Sequence, residues 1–407
     1  MVKRNADIAK LAGGYLFPEI NRRKLQFLQQ NPKAHLISLG IGDTTLPIPK
    51  SAVDGFVEAA NRLGNRDTYT GYGPERGSPV LRGRIADVLY HGLVSPDEIF
   101  VSDGAKCDLG RLQALFGRNL SIALQDPAYP VYVDSAVLGG ITGSYSEEVL
   151  GYAGITYMRC VPENGFFPEL NKYPRTDLIY FCSPNNPTGT VATREQLEQL
   201  VAYAKTNRSI IVFDNAYSSY IQDPALPKSI FEIDGAREVA IEVGSFSKLA
   251  GFTGVRLGWT IVPKELKYDD GHSVKSDWER ITSTIFNGAS NIAQAGGAAL
   301  LTPEGMQQAQ DLISYYLTNA KLLRKKLEEL NIAVYGGEHA PFLWVRFPGQ
   351  HSWDVFEKLL NDAHLITTPG IGFGPSGESF VRLSALGKRS DIEEACQRLD
   401  RELNAKT

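Results

Sequence analysis

DLIYFCSPNNPTGTVATREQLEQLVAYAKTNRSIIVFDNAY, residues 177–217, decides the fold class. DLIYFC (177–182) and SIIVFD (209–214) are short runs, apolar along most of their length. Between them, REQLEQLVAYAK (194–205) places Leu197, Leu200, Val201 and Ala204 on one helical face. Strand, helix and strand, without polar alternation in the strands, imply a parallel sheet covered on both faces.

Working outward, EIFVS (98–102), SIALQ (121–125) and EVAIEVGS (238–245) extend the pattern over roughly residues 95–262. The reading is an α/β protein with a mostly parallel central sheet. After residue 275 long helices take over. Met306, Ala309, Leu312, Ile313, Leu317, Ala320 and Leu323 form one stripe that continues to Leu330. FLWVRF (342–347), SWDVFEKLLNDA (352–363) and SFVRLSAL (379–386) then predict a smaller α+β domain. The expected organisation is an arm over 1–45, a large domain over 46–290, and a helical connector with the small domain over 291–407. In the arm, Gly13-Gly14 and Pro18 are expected to interrupt any continuous helix.

The chain has 407 residues, 43% apolar and 22% charged, the balance of an ordinary globular protein. Its 42 basic and 46 acidic residues give a net charge of −4 without a long basic run, which argues against nucleic acid and anionic membranes as partners. Cys107, Cys160, Cys182 and Cys396 have no metal-ligand or redox spacing, and the six histidines stand apart, so no metal site is expected. No stretch approaches a membrane span, and the first residues lack the apolar core of a signal peptide. The expected location is the cytoplasm, or the plastid stroma if a transit peptide has been removed.

In open α/β sheets ligands collect at the carboxyl ends of the strands. EIFVS runs into Asp103-Gly104-Ala105-Lys106 and a helix, offering backbone N–H groups to an anion. SIALQ runs into DPAYPVY, which presents Tyr129; DLIYFC runs into SPNNPTG (183–189). SIIVFD ends in Asp214, with Tyr217 three residues on, and EVAIEV runs into Ser245, Ser247 and Lys248. Each has a plain alternative: a turn for SPNNPTG, a helix cap for Asp214, packing for Tyr129, a surface ion pair for Arg256. Their types are nevertheless complementary, and together they match what pyridoxal phosphate requires. Those requirements are a Schiff-base lysine, a carboxylate for the pyridine nitrogen, donors for the phenolate oxygen, a stacking ring and a phosphate cradle.

SPNNPTG, DNAY (214–217) and SFSKLAGFTGVRLGW (245–259) resemble the three signature blocks of the class I/II, fold-type I aminotransferases. The resemblance covers essentially the whole chain. It implies Lys248 as Schiff-base lysine and proton shuttle, Asp214 against the pyridinium nitrogen, and Asn186 and Tyr217 on the phenolate oxygen. It also implies Tyr129 stacked on the ring, and Gly104, Ala105, Lys106, Ser245, Ser247 and Arg256 around the cofactor. Tyr72 would reach over from the second subunit of a homodimer. Ala105 departs from the many relatives with a hydroxyl residue there, so it contributes only its N–H. Arg382, alone in an apolar strand, is either an edge charge or the fork for the substrate α-carboxylate; the resemblance implies the fork.

GGYLFPEI (13–20), GYGPERG (71–77), SDGAKCD (102–108) and FNGASN (286–291) are similar to blocks of the LL-diaminopimelate aminotransferases. This implies glutamate and tetrahydrodipicolinate as small-molecule substrates. It implies substrate contacts from Tyr15, Gly42, Lys106, Tyr129, Asn186, Asn287 and Arg382, and from Glu75 across the dimer. Other aminotransferases of the class and lyases of the same fold would use the same lysine, aspartate and arginine. An idle cofactor-binding regulator is disfavoured by the intact Lys248, Asp214 and Arg382. The glycine-rich GIGD (40–43) and GIGFGPSG (370–377) do not open a βαβ unit and exclude a dinucleotide-binding oxidoreductase.

Overall fold

The computed structural model describes residues 1–11, 16–40 and 42–404. Seven strands make the central sheet: β1 (Ile99–Ser102), β2 (Ile122–Asp126), β3 (Ile155–Arg159), β4 (Leu178–Cys182), β5 (Ile210–Asp214), β6 (Ala240–Ser245) and β7 (Gly258–Ile261). Their order is β1-β7-β6-β5-β4-β2-β3. Six run parallel and β7 runs antiparallel to both its neighbours. Every residue of β1, β2, β4, β6 and β7 is buried, which is why those segments carry no polar alternation. One apolar cluster packs on each face. β3 and β7 lie outside the runs that the apolar pattern marks. β3 is an edge strand that is only partly buried, and β7 is hidden within the glycine-rich LGW block.

Among the helices, α1 (Leu16–Gln30) lies in the amino-terminal segment, and α2 (Ala105–Phe116), α3 (Val131–Leu138) and α4 (Arg194–Asn207) follow strands of the sheet. Thr193 caps α4 by accepting from the Gln196 N–H, and Leu197, Leu200, Val201 and Ala204 are its buried face. α5 (Pro303–Glu329) is a single helix of 27 residues that runs from the central sheet's core to the second core.

No continuous helix runs through the amino-terminal segment: one helix spans Ala6–Lys10 and α1 begins anew at Leu16, with Pro18 in its first turn, where a backbone N–H would have no intrahelical acceptor. Gly13 and Gly14 lie outside the described residues.

The second sheet contains β8 (Val334–Gly336), β9 (Phe342–Arg346), β10 (Thr368–Pro369) and β11 (Phe380–Ser384), in the order β8-β9-β11-β10, all antiparallel. Arg382 is therefore on an interior strand, not an edge. Ile37–Ser38 pairs with Leu365–Ile366, which ties the amino-terminal segment to this second layer. Among the described residues no helix is long and apolar enough to cross a membrane.

Candidate active site

The carboxyl ends of β1, β2, β4, β5 and β6 open on a cavity of about 530 Å³, which β9 and β11 close from the second sheet. Its wall holds Gly42, Ala105, Lys106, Tyr129, Asn186, Asp214, Tyr217, Ser245, Ser247, Lys248, Arg256 and Arg382. These twelve are all residues for which the sequence motifs imply chemistry, drawn from segments spread over most of the chain. Gly104 stands directly before Ala105 in the turn that leads into α2.

At one end the site is built for an anion. α2 begins after Gly104 without a side-chain cap, so its first N–H groups face outward. Gly104 has φ +121°, and a Cβ there would lie 2.5 Å from Arg256 Nη2, so only glycine lets the arginine come this close. On the other side a Cβ on Gly258 would meet Gly104 Cα at 2.8 Å, which locks β7 against the same turn. Arg256, itself at φ +68°, donates to Ser247 Oγ (3.5 Å) and to the Thr253 carbonyl (3.1 Å). Ser245 Oγ accepts from the Ser247 N–H at 3.1 Å.

Deeper in, Asp214 is buried at the end of β5. Burial lifts its carboxyl above the ordinary range, opposed by the Tyr132 hydroxyl and the Ala216 N–H that donate to it. Burial likewise pushes the Tyr217 phenol well up, with Arg382 pulling it back. Lys248 Nζ donates to the Gly42 carbonyl. Burial brings its ammonium down to about 8; Asp43 opposes this, while Arg382 and Arg256 reinforce it. A lysine so placed is neutral and nucleophilic in a far larger share of molecules than a solvated lysine, and in most of them once the pH exceeds about 8.

Arg382, 2% exposed, donates to Asn186 Oδ1 and to the Gly40 carbonyl, each at 2.7 Å. Its guanidinium carbon lies 4.4 Å from the Phe342 ring centre and 4.9 Å from that of Phe373. Burial lowers its pKa to about 10, so the group remains a cation. The SPNNPTG segment does serve as a turn, because Asn185 N–H donates to the Thr190 carbonyl and Gly189 N–H to that of Asn185. The same turn carries Asn186 to the arginine.

Three predicted residues are not in this cavity. Tyr72 is 91% exposed, and Glu75 and Asn287 are also exposed. Asn287 and Gly288 sit beside Glu75, since a Cβ on Gly288 would be 3.7 Å from Glu75 Cα. Tyr15 lies outside the described residues. Conversely, the cavity has lining residues to which the sequence reading gives no role, among them Phe17, Asp43, Thr253 and Phe342. Tyr132 is a further site residue that sequence reasoning misses. Its signal stands in DPAYPVY, three residues after Tyr129, at the start of α3.

The fit to pyridoxal phosphate rests on these groups. Uncapped helix N–H groups, two serines and an arginine suit a phosphate, a buried carboxylate suits a pyridinium, and a lysine of lowered pKa suits the carbonyl.

The family model described as aminotransferase class I and II matches residues 34–399. The LL-diaminopimelate aminotransferase of Protochlamydia amoebophila is 57% identical over 399 residues, covering 98% of this chain and 97% of that one. The chloroplastic LL-diaminopimelate aminotransferase of Arabidopsis thaliana is 56% identical over 398 residues, covering 98% of this chain and 86% of that one. The solved L,L-diaminopimelate aminotransferase from Chlamydomonas reinhardtii superposes with a TM-score of 0.95 at 53% identity, over 98% of each chain. An aspartate aminotransferase of Thermus thermophilus shares the fold, with a TM-score of 0.84 at 22% identity. The cavity and its residues thus sit within a shared architecture, and the chain belongs to the class I and II aminotransferases, pyridoxal-phosphate-dependent enzymes of fold type I.

Proposed function

We propose that this enzyme moves an amino group between glutamate/2-oxoglutarate and tetrahydrodipicolinate/LL-2,6-diaminopimelate, a step of lysine and cell-wall precursor biosynthesis. The single observation that carries the reaction class is one cavity holding Lys248, Asp214 and Arg382 together. Relatives of that name, 56–57% identical across nearly the whole chain, support the substrate pair.

Pyridoxal phosphate, when bound, supplies the electron-accepting ring that amino transfer needs. The chain's residues do the rest. Gly104, Ala105, Ser245, Ser247 and Arg256 hold the phosphate, with Lys106 at the first turn of α2 beside them. Asp214 is the counter-charge for the protonated ring nitrogen, Asn186 and Tyr217 donate to the ring's oxygen, and Tyr129 covers its face. Lys248 Nζ, neutral in part of the population, takes the proton from the amino donor's Cα in one half-reaction and delivers one to the acceptor's Cα in the other. Arg382 binds the α-carboxylate as a planar fork, with the Gly42 segment alongside.

Tyr72, Glu75 and Asn287 lie outside the cavity on an exposed face. In this reading Tyr72 and Glu75 complete the site of a second copy in a homodimer, Tyr72 toward phosphate and Glu75 toward substrate, whereas Asn287, expected at the substrate of its own subunit, does not line that subunit's cavity. Residues 46–290 form the large domain and 291–407 the connector and small domain. The compartment is the cytoplasm or the plastid stroma.

The test is a screen of amino acids against the purified, cofactor-loaded protein, following conversion of the bound cofactor to its amine form. Glutamate and LL-diaminopimelate should both convert it. Conversion by aspartate or phenylalanine with no response to LL-diaminopimelate would refute the substrate assignment.

A further inference from the structure

GIGFGPSG, residues 370–377, carries four glycines that no phosphate-binding role explains. A Cβ on Gly370 would collide with the Gly377 carbonyl and one on Gly377 with the Gly370 carbonyl, so the segment is a turn closed tightly on itself. It docks on the central sheet at one place. Asp126, the last residue of β2, is buried, and its carboxylate accepts the Ser376 N–H at 3.0 Å to each oxygen and the Ser376 hydroxyl at 2.7 Å. Two residues on, the Ala128 N–H donates to the Phe373 carbonyl at 2.8 Å. Gly374, at φ +129°, has no room for a Cβ against Asp126 Oδ1.

Phe373, whose carbonyl makes the second of these attachments, is 3% exposed. Its ring is edge-on to Trp344 at 5.9 Å and forms one of the two aromatic walls around the Arg382 guanidinium. The other wall, Phe342, belongs to the second sheet itself. One side of the arginine is thus held by its own sheet, and the other by a turn whose position is set from β2.

We propose that Asp126 is a positioning residue for the substrate carboxylate: it fixes residues 373–376 on the central sheet, so that Phe373 holds Arg382 in its binding orientation. This rests on the reading of Arg382 as the carboxylate fork. A buried carboxylate accepting three contacts from two donors of one serine, its N–H and its O–H, gives a geometrically defined attachment. Asp126 does not line the cavity, so its effect passes through the arginine.

The experiment is the glutamate half-reaction of the cofactor-loaded enzyme, with apparent KM, kcat and cofactor affinity measured for Asp126→Ala, Asp126→Asn, Ser376→Ala, Arg382→Lys and the double variant Asp126→Ala/Arg382→Lys. Asp126→Ala should raise KM about tenfold, with kcat and cofactor affinity within about twofold of wild type. Asp126→Asn keeps an acceptor for the Ser376 N–H and should recover most of the loss. In the Arg382→Lys background, Asp126→Ala should add little, because the group it positions is gone. Additive losses, or an Asp126→Ala defect in kcat and cofactor affinity alongside KM, would overturn the proposal while leaving the role of Arg382 intact. An unchanged KM in Arg382→Lys would overturn the carboxylate reading and the proposal with it. If Asp126→Ala does not fold, Ser376→Ala provides the same comparison with a smaller rise in KM.

Discussion

Tyr132 donates a 2.6 Å hydrogen bond to Asp214 Oδ2, and both residues are buried. The hydroxyl favours the ionised carboxylate, against the burial that raises its pKa. Tyr132→Phe leaves the ring's packing on Tyr180 and removes only that donor. Turnover should fall on the order of tenfold, as for loss of one hydrogen bond to a charged group. Because the Asp214 pKa then rises further, the acid limb of the kcat profile should move to higher pH. A profile superposable on wild type would show that Tyr132 only packs.

Lys248→Ala should abolish transamination by many orders of magnitude, because nucleophile and base are one residue. The cofactor should still bind weakly, since the Gly104 turn, Ser245, Ser247 and Arg256 are untouched. Single-turnover absorbance with glutamate measures the first, and a cofactor titration the second.

The lowered Lys248 pKa also predicts how stability depends on pH in the cofactor-free protein. Its folded value is about 8, against the ordinary 10.5 of a solvated lysine in the unfolded chain. Below about 8 both states hold the proton, and burial of the charge is unfavourable to the fold. Between those values the folded protein has released the proton and the unfolded chain keeps it, so stability rises with pH. Above 10.5 the contribution is constant again. Chemical denaturation of wild type and Lys248→Met across this range should give a difference that changes in favour of wild type as pH rises.

Glu75→Gln tests specificity. LL-diaminopimelate ends in a second ammonium–carboxylate pair, whereas glutamate ends in a carboxylate alone. Leaving a buried ammonium without its counter-charge costs several kcal/mol. The variant should therefore impair the diaminopimelate half-reaction far more than the glutamate one. Taking the ratio of the two efficiencies cancels differences in cofactor loading, and equal losses would reduce Glu75 to a loop support.

Most of the central sheet is legible in the sequence because its strands are buried on both faces, and such strands announce themselves as apolar runs. β3 is not, because at the sheet edge ITYMR is only partly covered and mixes both kinds of residue. β7 is not, because its glycine serves close packing against Gly104 and reads as part of a phosphate motif. Site chemistry follows from residue types at strand ends, but pairings across the chain do not. Nothing local joins Asp126 to Ser376 or Tyr132 to Asp214; those partners are brought together by the packing of separate segments.

The antiparallel β7 sets a timetable for synthesis of the chain. In the central sheet β1 has β7 as its one strand neighbour, and β7 is the last of the seven strands to leave the ribosome. A nascent chain that ends at Ser245 already has β6, β5, β4, β2 and β3 available to pair in sequence. It holds β1 as an open edge, exposed to misassembly until β7 arrives. Gly104 and Ala105 meet Ser247 and Arg256 only when β7 inserts. A chain that ends at Ser245 also lacks Ser247, Lys248 and Arg256, and with them the proposed Schiff-base lysine and part of the proposed phosphate cradle.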